Sequence, residues 1–200
     1  MRTHYLLYTG ITLPVIFWVS TVIGGFIHGN YNHLSGTISQ LGALSSCSHV
    51  FMTTCTAICG ALSICFVIGV YQACRQMGIN IAPVFGMLAV PVMFLWAAAF
   101  PLGNPLHAVM GPVILLLYVG ILISAFVWRG MALQQFRLIS VISLLILLLI
   151  FLRFIPAVQN HYPGLVQRFV HFGWSFWFVS VAITFNRLLS TNYTINNLKS

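Results

Sequence analysis

Near the start of the last apolar run, Gln167, Arg168 and His171 bring an amide, a guanidinium and an imidazole within five residues of one another. At 3.6 residues per turn, Arg168, His171 and Ser175 fall on one helix face, with Trp174 and Trp177 directed largely elsewhere. A guanidinium is the side chain best shaped to grip a phosphate or carboxylate through two parallel hydrogen bonds. The chain contains no Asp or Glu at all, so Arg168 has no side chain with which to form an internal ion pair. Its partner must be backbone carbonyls, water, a lipid phosphate, a ligand anion or another subunit. Arg168, His171, Gln167, His107 and Gln40 are therefore the candidate ligand-binding residues. Against this stands a structural reading in which Arg168 snorkels to the interface or ties carbonyls together. Arg153, near the end of the fifth apolar run, reads as a snorkelling arginine whose stem lies along hydrocarbon.

The imidazoles admit a second chemistry. His49, His107 and His171 sit at similar depth on three different runs, where they are candidate ligands for zinc, copper or a haem iron. No two His stand at the His-x-x-x-His spacing, and the carboxylates that usually orient metal-bound imidazoles are missing. Cys55 and Cys59 are four apart on one helix face. Small polarizable residues among Ser, Thr, Ala and Gly fit close helix packing better than a two-sulfur metal site. Several Ser lie near His between positions 35 and 48, but there is no Gly-x-Ser-x-Gly elbow and no acid to orient a base; Ser48 is placed to cap a helix instead. The absent carboxylates also exclude paired-carboxylate glycoside hydrolysis, aspartyl proteolysis and Asp or Glu proton relays. No catalytic residue is assigned.

The elements that must position these groups follow from composition. With 60% hydrophobic and 4% charged residues and a mean hydropathy of +1.01, the chain is an integral membrane protein. A spanning helix needs about 20 apolar residues, and six runs qualify: roughly 7–27, 49–71, 81–100, 107–128, 138–155 and 165–187. The first is too long, and lacks the cleavage site, for a secretory signal. Pro14, Pro83, Pro91 and Pro112 predict kinks in the first, third and fourth helices. The positive charges are scattered, which excludes a nucleic-acid footprint. Placing Arg2, Arg75, Arg129, Arg137, Arg187 and Lys199 on one side leaves only Arg153 and Arg168 on the other, so both termini are expected in the cytoplasm. Six of the seven His then lie in the outer half, and the uncharged, hydroxyl-rich segment 32–49 is an outer loop facing water.

Three blocks carry a resemblance. Ile38-Ser39-Gln40-Leu41-Gly42, then Phe100-Pro101 with His107, then Gly164-Leu165-Val166-Gln167-Arg168 resemble, in order and spacing, a family of six-helix membrane proteins catalogued as domain of unknown function 998. Its pattern has Ile-Ser-Glu-Leu-Gly, Phe-Pro-x-Asp followed by His, and Leu-Gln-Arg. Gln40 thus stands where the resemblance implies Glu, and Gly103-Asn104 where it implies Asp, so both acidic positions are neutral here. The resemblance implies a fold and no biochemical activity.

The chain is therefore read as all-α, one polytopic domain of six transmembrane helices over residues 1–200, expected in a bacterial inner membrane. The leading function is a non-enzymatic one: an outer-side vestibule that binds or moves an amphiphilic or anionic small molecule or lipid, with no cofactor. The alternative is a membrane oxidoreductase or metal- or haem-dependent enzyme using the outer His. Expected partners are membrane lipids and that ligand, with a homo-oligomer left open.

Overall fold

Inside a bilayer every backbone N–H and C=O must be satisfied within the protein, so long apolar runs fold as helices. The computed structural model describes residues 2–129 and 133–197. Its α-helices are α1 (Arg2–His28), α2 (Ile38–Leu41), α3 (His49–Met77), α4 (Ala82–Met87), α5 (Ala89–Ala99), α6 (Ile114–Val127), α7 (Gln134–Leu148), α8 (Pro156–His161) and α9 (Pro163–Asn197). Two 3-10 segments, His107–Val113 and Leu149–Phe154, adjoin α6 and α7. Six stretches are long and apolar enough to cross a membrane: Arg2–His28, His49–Met77, Ala82–Ala99, His107–Val127, Gln135–Phe154 and Pro163–Thr191. Each contains or largely overlaps one of the six expected runs. Lys199, counted in the charge asymmetry, lies outside the described residues.

The spans close into a ring in chain order. α1 packs on α3, α3 on α5, α4 and α5 on α6, α6 on α7, α7 on α9, and α9 returns to α1. α3 and α9 also meet across the ring, where the Phe66 and Phe178 rings lie 4.8 Å apart. Hydrophobicity alone does not drive helices together in lipid; close packing does. At the α4–α6 crossing, a Cβ on Gly86 would land on the Cα of Gly120, so the two backbones touch. At the end carrying the termini, Trp128 packs on Phe185 at 4.9 Å and Trp177 at 6.3 Å. There His4 Nδ1 also donates to Asn186 Oδ1 at 2.8 Å, and Gln76 donates to Thr3 Oγ1 at 2.9 Å.

The proline expectations divide. α1 runs unbroken as helix through Pro14. The third span is interrupted at Leu88, three residues before Pro91, whose missing N–H leaves the preceding turn without a bond. In the fourth span Pro112 lies inside the 3-10 segment. The fifth span ends in a 3-10 segment without any proline in it, which the sequence pattern did not announce. Ser48 does occupy the N-cap position of α3. Its hydroxyl, however, donates to the Leu41 carbonyl at 2.7 Å and makes no cap bond, because the chain enters α3 folded back over α2.

Candidate functional site

The end of the bundle opposite the termini is built by three connections, and the three sequence blocks meet there. Arg168 projects from α9 back toward its N-terminus, as long helical side chains do. Its Nη1 donates to the Gly164 carbonyl at 2.9 Å and the Gly36 carbonyl at 3.0 Å, and its Nη2 to Tyr31 Oη at 3.1 Å and His33 Nδ1 at 2.8 Å. Tyr31 donates its hydroxyl to the same Gly36 carbonyl at 2.7 Å. One residue earlier, Gln167 accepts from the Ile38 N–H at 2.6 Å and donates to Ser39 Oγ at 3.2 Å. Leu165 N–H donates to the Leu34 carbonyl at 2.9 Å, and a Cβ at Gly164 would land on the Gly36 carbonyl oxygen. The first connection is thereby laced onto the start of α9. Leu44 N–H donates to the Leu102 carbonyl at 2.9 Å, joining it to the second block, where His107 Nδ1 donates to the Phe100 carbonyl at 2.8 Å.

This lacing shapes the electrostatics. Burial, and secondarily the Arg168 guanidinium, holds the His33 imidazole below its ordinary pKa. A neutral His33 is what the contact requires, since Nδ1 must offer a lone pair to Arg168. Burial pushes the Tyr31 phenol upward, while its bond to Arg168 and that guanidinium's charge pull the other way. The carbonyl tie set against ligand binding above is thus realised: four protein atoms receive the Arg168 N–H groups.

Behind this wall lies a cavity of about 580 Å³. Its inner end is an aromatic cluster: Phe17 and Phe94 rings are 5.5 Å apart, and Trp174 stands 5.6 Å from each. His171 stacks obliquely on Phe17 at 4.5 Å and accepts the Trp174 indole N–H at Nδ1, 3.0 Å away. Trp174 therefore shares the cavity with His171, contrary to the face expected for it, because residues three apart are offset by only ~60° around an α-helix. Ser175 turns its hydroxyl to its own backbone at His171, 2.6 Å away.

The mouth lies between the two 3-10 segments. With three residues per turn, positions i and i+3 eclipse. His107 with Met110, and Ala108 with Gly111, line the cavity, while Val109 and Pro112 are exposed. Ile150 and Arg153 likewise face the cavity, while Phe151 and Phe154 are exposed, their rings nearly parallel 6.1 Å apart. One segment packs on α5 and α6 and the other on α7, α8 and α9, so they stand as two jambs.

Of the five candidate ligand-binding residues, the cavity gathers His107, His171 and Gln167. Arg168 is turned into the loop. Gln40 lies on the far side of α2, where it lines a second, polar cavity of about 530 Å³, and its Oε1 accepts the Thr37 N–H at 2.8 Å. The α2 turn is a partition: Thr37, Ile38, Ser39 and Gly42 face the main cavity, Gly36, Gln40 and Ala43 the polar one. Among the described residues no three His or Cys gather as a ligand set, and His49 is not on the cavity but bonds the Gly42 carbonyl at 2.8 Å. Sequence reasoning assigned Arg153 to the lipid and did not place it on the cavity; the 3-10 winding that turns it inward has no residue signature.

The family model described as "Protein of unknown function (DUF998)" matches residues 12–184, and the chain belongs to that family. No curated protein and no solved structure matches it.

Proposed function

We propose that this multi-pass membrane protein binds a single-chain amphiphile, which enters sideways from one leaflet between the two 3-10 jambs. The observation that carries the reading is the cavity's depth. Phe17 stands eleven residues from the end of α1 and Trp174 eleven from the start of α9, so at 1.5 Å per residue the aromatic cluster lies ~16 Å below the loop end. Half a hydrocarbon core of ~30 Å is ~15 Å. The cavity thus reaches one leaflet deep, and its volume falls within the usual ~300–1,000 Å³ of small-molecule sites. Its floor is aromatic, with His171 stacked on Phe17, while Gln167, Gln159, Arg153 and His107 stand toward the loop end, which matches a hydrocarbon tail below a polar head. His107, His171 and Gln167 are the polar contacts carried forward, while Arg168 and Gln40 brace the wall. The six-to-two asymmetry of Lys and Arg supports an outer-leaflet site in a bacterial inner membrane, with both termini cytoplasmic.

Gly111 offers the test. It lines the mouth, and a Cβ there meets no atom within 4 Å, so a large side chain is accommodated by the cavity and not by the packed bundle. Gly111→Phe is expected to abolish retention of co-purified or added amphiphile in native mass spectrometry while the melting temperature of the emptied protein stays within a few degrees of wild type. Undiminished retention in that variant defeats the proposal.

A further inference from the structure

Among the described residues Arg153 is the only Arg or Lys on the main cavity, and its situation differs from that of Arg168. It makes no hydrogen bond or ring contact to any described residue, and a chain without Asp or Glu holds no side chain to neutralise it. It stands at the mouth, exposed, on the same wall as Gln159 of α8. Simple snorkelling accounts poorly for this placement. A snorkelling arginine lies along the lipid face with its aromatic neighbours, yet the lipid face of this 3-10 turn belongs to Phe151 and Phe154. Arg153 is carried ~120° around from Phe154, into register with the cavity-facing Ile150.

We propose that Arg153 is the residue that reads the head of the bound amphiphile, and that this head is anionic, a phosphate or carboxylate carried on a single hydrocarbon chain. The inference rests on the amphiphile cavity and adds its selectivity. A guanidinium grips either oxyanion through two parallel N–H bonds. Gln159 lines the same cavity and offers an amide N–H to the head. The head then sits between the jambs with its chain running down to Phe17, Phe94 and Trp174. Arg168, whose two Nη groups are committed to carbonyls, Tyr31 and His33 and which is not on the main cavity, takes no part in the selection.

The experiment compares probes that share one chain and differ in head. Full-length protein in nanodiscs of zwitterionic phosphatidylcholine is titrated with dodecyl phosphate, dodecanoate, dodecyl maltoside and inorganic phosphate, and binding is read by native mass spectrometry and by quenching of tryptophan fluorescence. Wild type is expected to hold dodecyl phosphate or dodecanoate about ten- to a hundred-fold more tightly than dodecyl maltoside. Arg153→Gln is expected to erase that preference while keeping dodecyl maltoside binding, and Arg153→Lys to keep part of it. Equal affinity for charged and neutral heads in wild type, or a preference that survives Arg153→Gln, overturns the assignment and leaves the cavity standing. Failure of every dodecyl probe to bind overturns the cavity reading itself. Inorganic phosphate binding as tightly as dodecyl phosphate also overturns the cavity reading, since the chain then contributes nothing.

Discussion

Replacing Arg168 by Gln removes four hydrogen bonds, three that lace the first connection to α9 and one, to the Gly164 carbonyl, within α9 itself. A bond to a charged donor is worth ~1.5–3 kcal/mol when lost singly, but these four share one half-exposed guanidinium and do not add. The Gly36 carbonyl also keeps the Tyr31 hydroxyl. A net loss of ~2–4 kcal/mol is the reasonable scale. For a chain of this size that is a fall in melting temperature of roughly 5–15 °C. Arg168→Lys should recover less than half, because an ammonium reaches the Gly36 and Gly164 carbonyls but cannot span to Tyr31 and His33 at once. The assay is a thermal melt of the three proteins in identical nanodiscs, with amide exchange over residues 34–41 reporting whether the wall detaches. Binding of dodecyl phosphate at low temperature, where the fold persists, should fall by no more than a few fold. An unchanged melting temperature together with lost phosphate selectivity would make Arg168 the ligand contact and refute the bracing role.

Two further outcomes follow from the same wall. His33 has its pKa depressed in the folded state, so it contributes stability above its unfolded pKa that is lost as pH falls below about 6.5. Melting temperature should therefore drop as pH falls below about 6.5, and His33→Gln, whose amide oxygen still accepts from Arg168, should flatten that slope; a slope unaltered by the substitution assigns it to another histidine. Gln40→Glu introduces the acid that the resemblance implies at this position while keeping an oxygen acceptor for the Thr37 N–H, so its stability should stay within ~0.5 kcal/mol of wild type. A marked loss there would show that the neutral amide is needed for the fold.

The spans were legible because the lipid solvent demands a long apolar run for each, and nothing in the chain competes with that signal. The lacing was half legible. Arg168 in a chain without carboxylates announced that carbonyls or a ligand must receive it, but choosing between them required knowing that residues 31–38 fold back over Gly164. That approach depends on Gly164, which leaves room for the Gly36 carbonyl, and the loop's own fold on Gly36, which leaves room for Tyr31; neither missing side chain leaves a mark in a hydropathy profile. The face Arg153 takes was illegible for a related reason. It turns on whether Leu149–Phe154 winds at 3.0 or 3.6 residues per turn, and no residue pattern in that stretch marks the difference. The neutral side chains Gln40 and Asn104 have a local meaning: each amide oxygen accepts a backbone N–H, from Thr37 at 2.8 Å and from Leu106 at 2.9 Å, as a carboxylate could.

The winding of the fourth span gives the portal a mechanical property. A 3-10 segment rises ~2.0 Å per residue against ~1.5 Å for an α-helix, so rewinding the seven residues His107–Val113 as α would shorten that jamb by ~3.5 Å. The twist per residue would drop from ~120° to ~100°, so side chains along the jamb would rotate progressively against those of α6. His107 is anchored to Phe100 and α6 is anchored to α4 at Gly86 and Gly120, so neither end of the segment is free to absorb the change. With both ends held, a change of pitch in this short stretch would have to drag an anchored end by that length, so the packing on either side locks which residues face the opening.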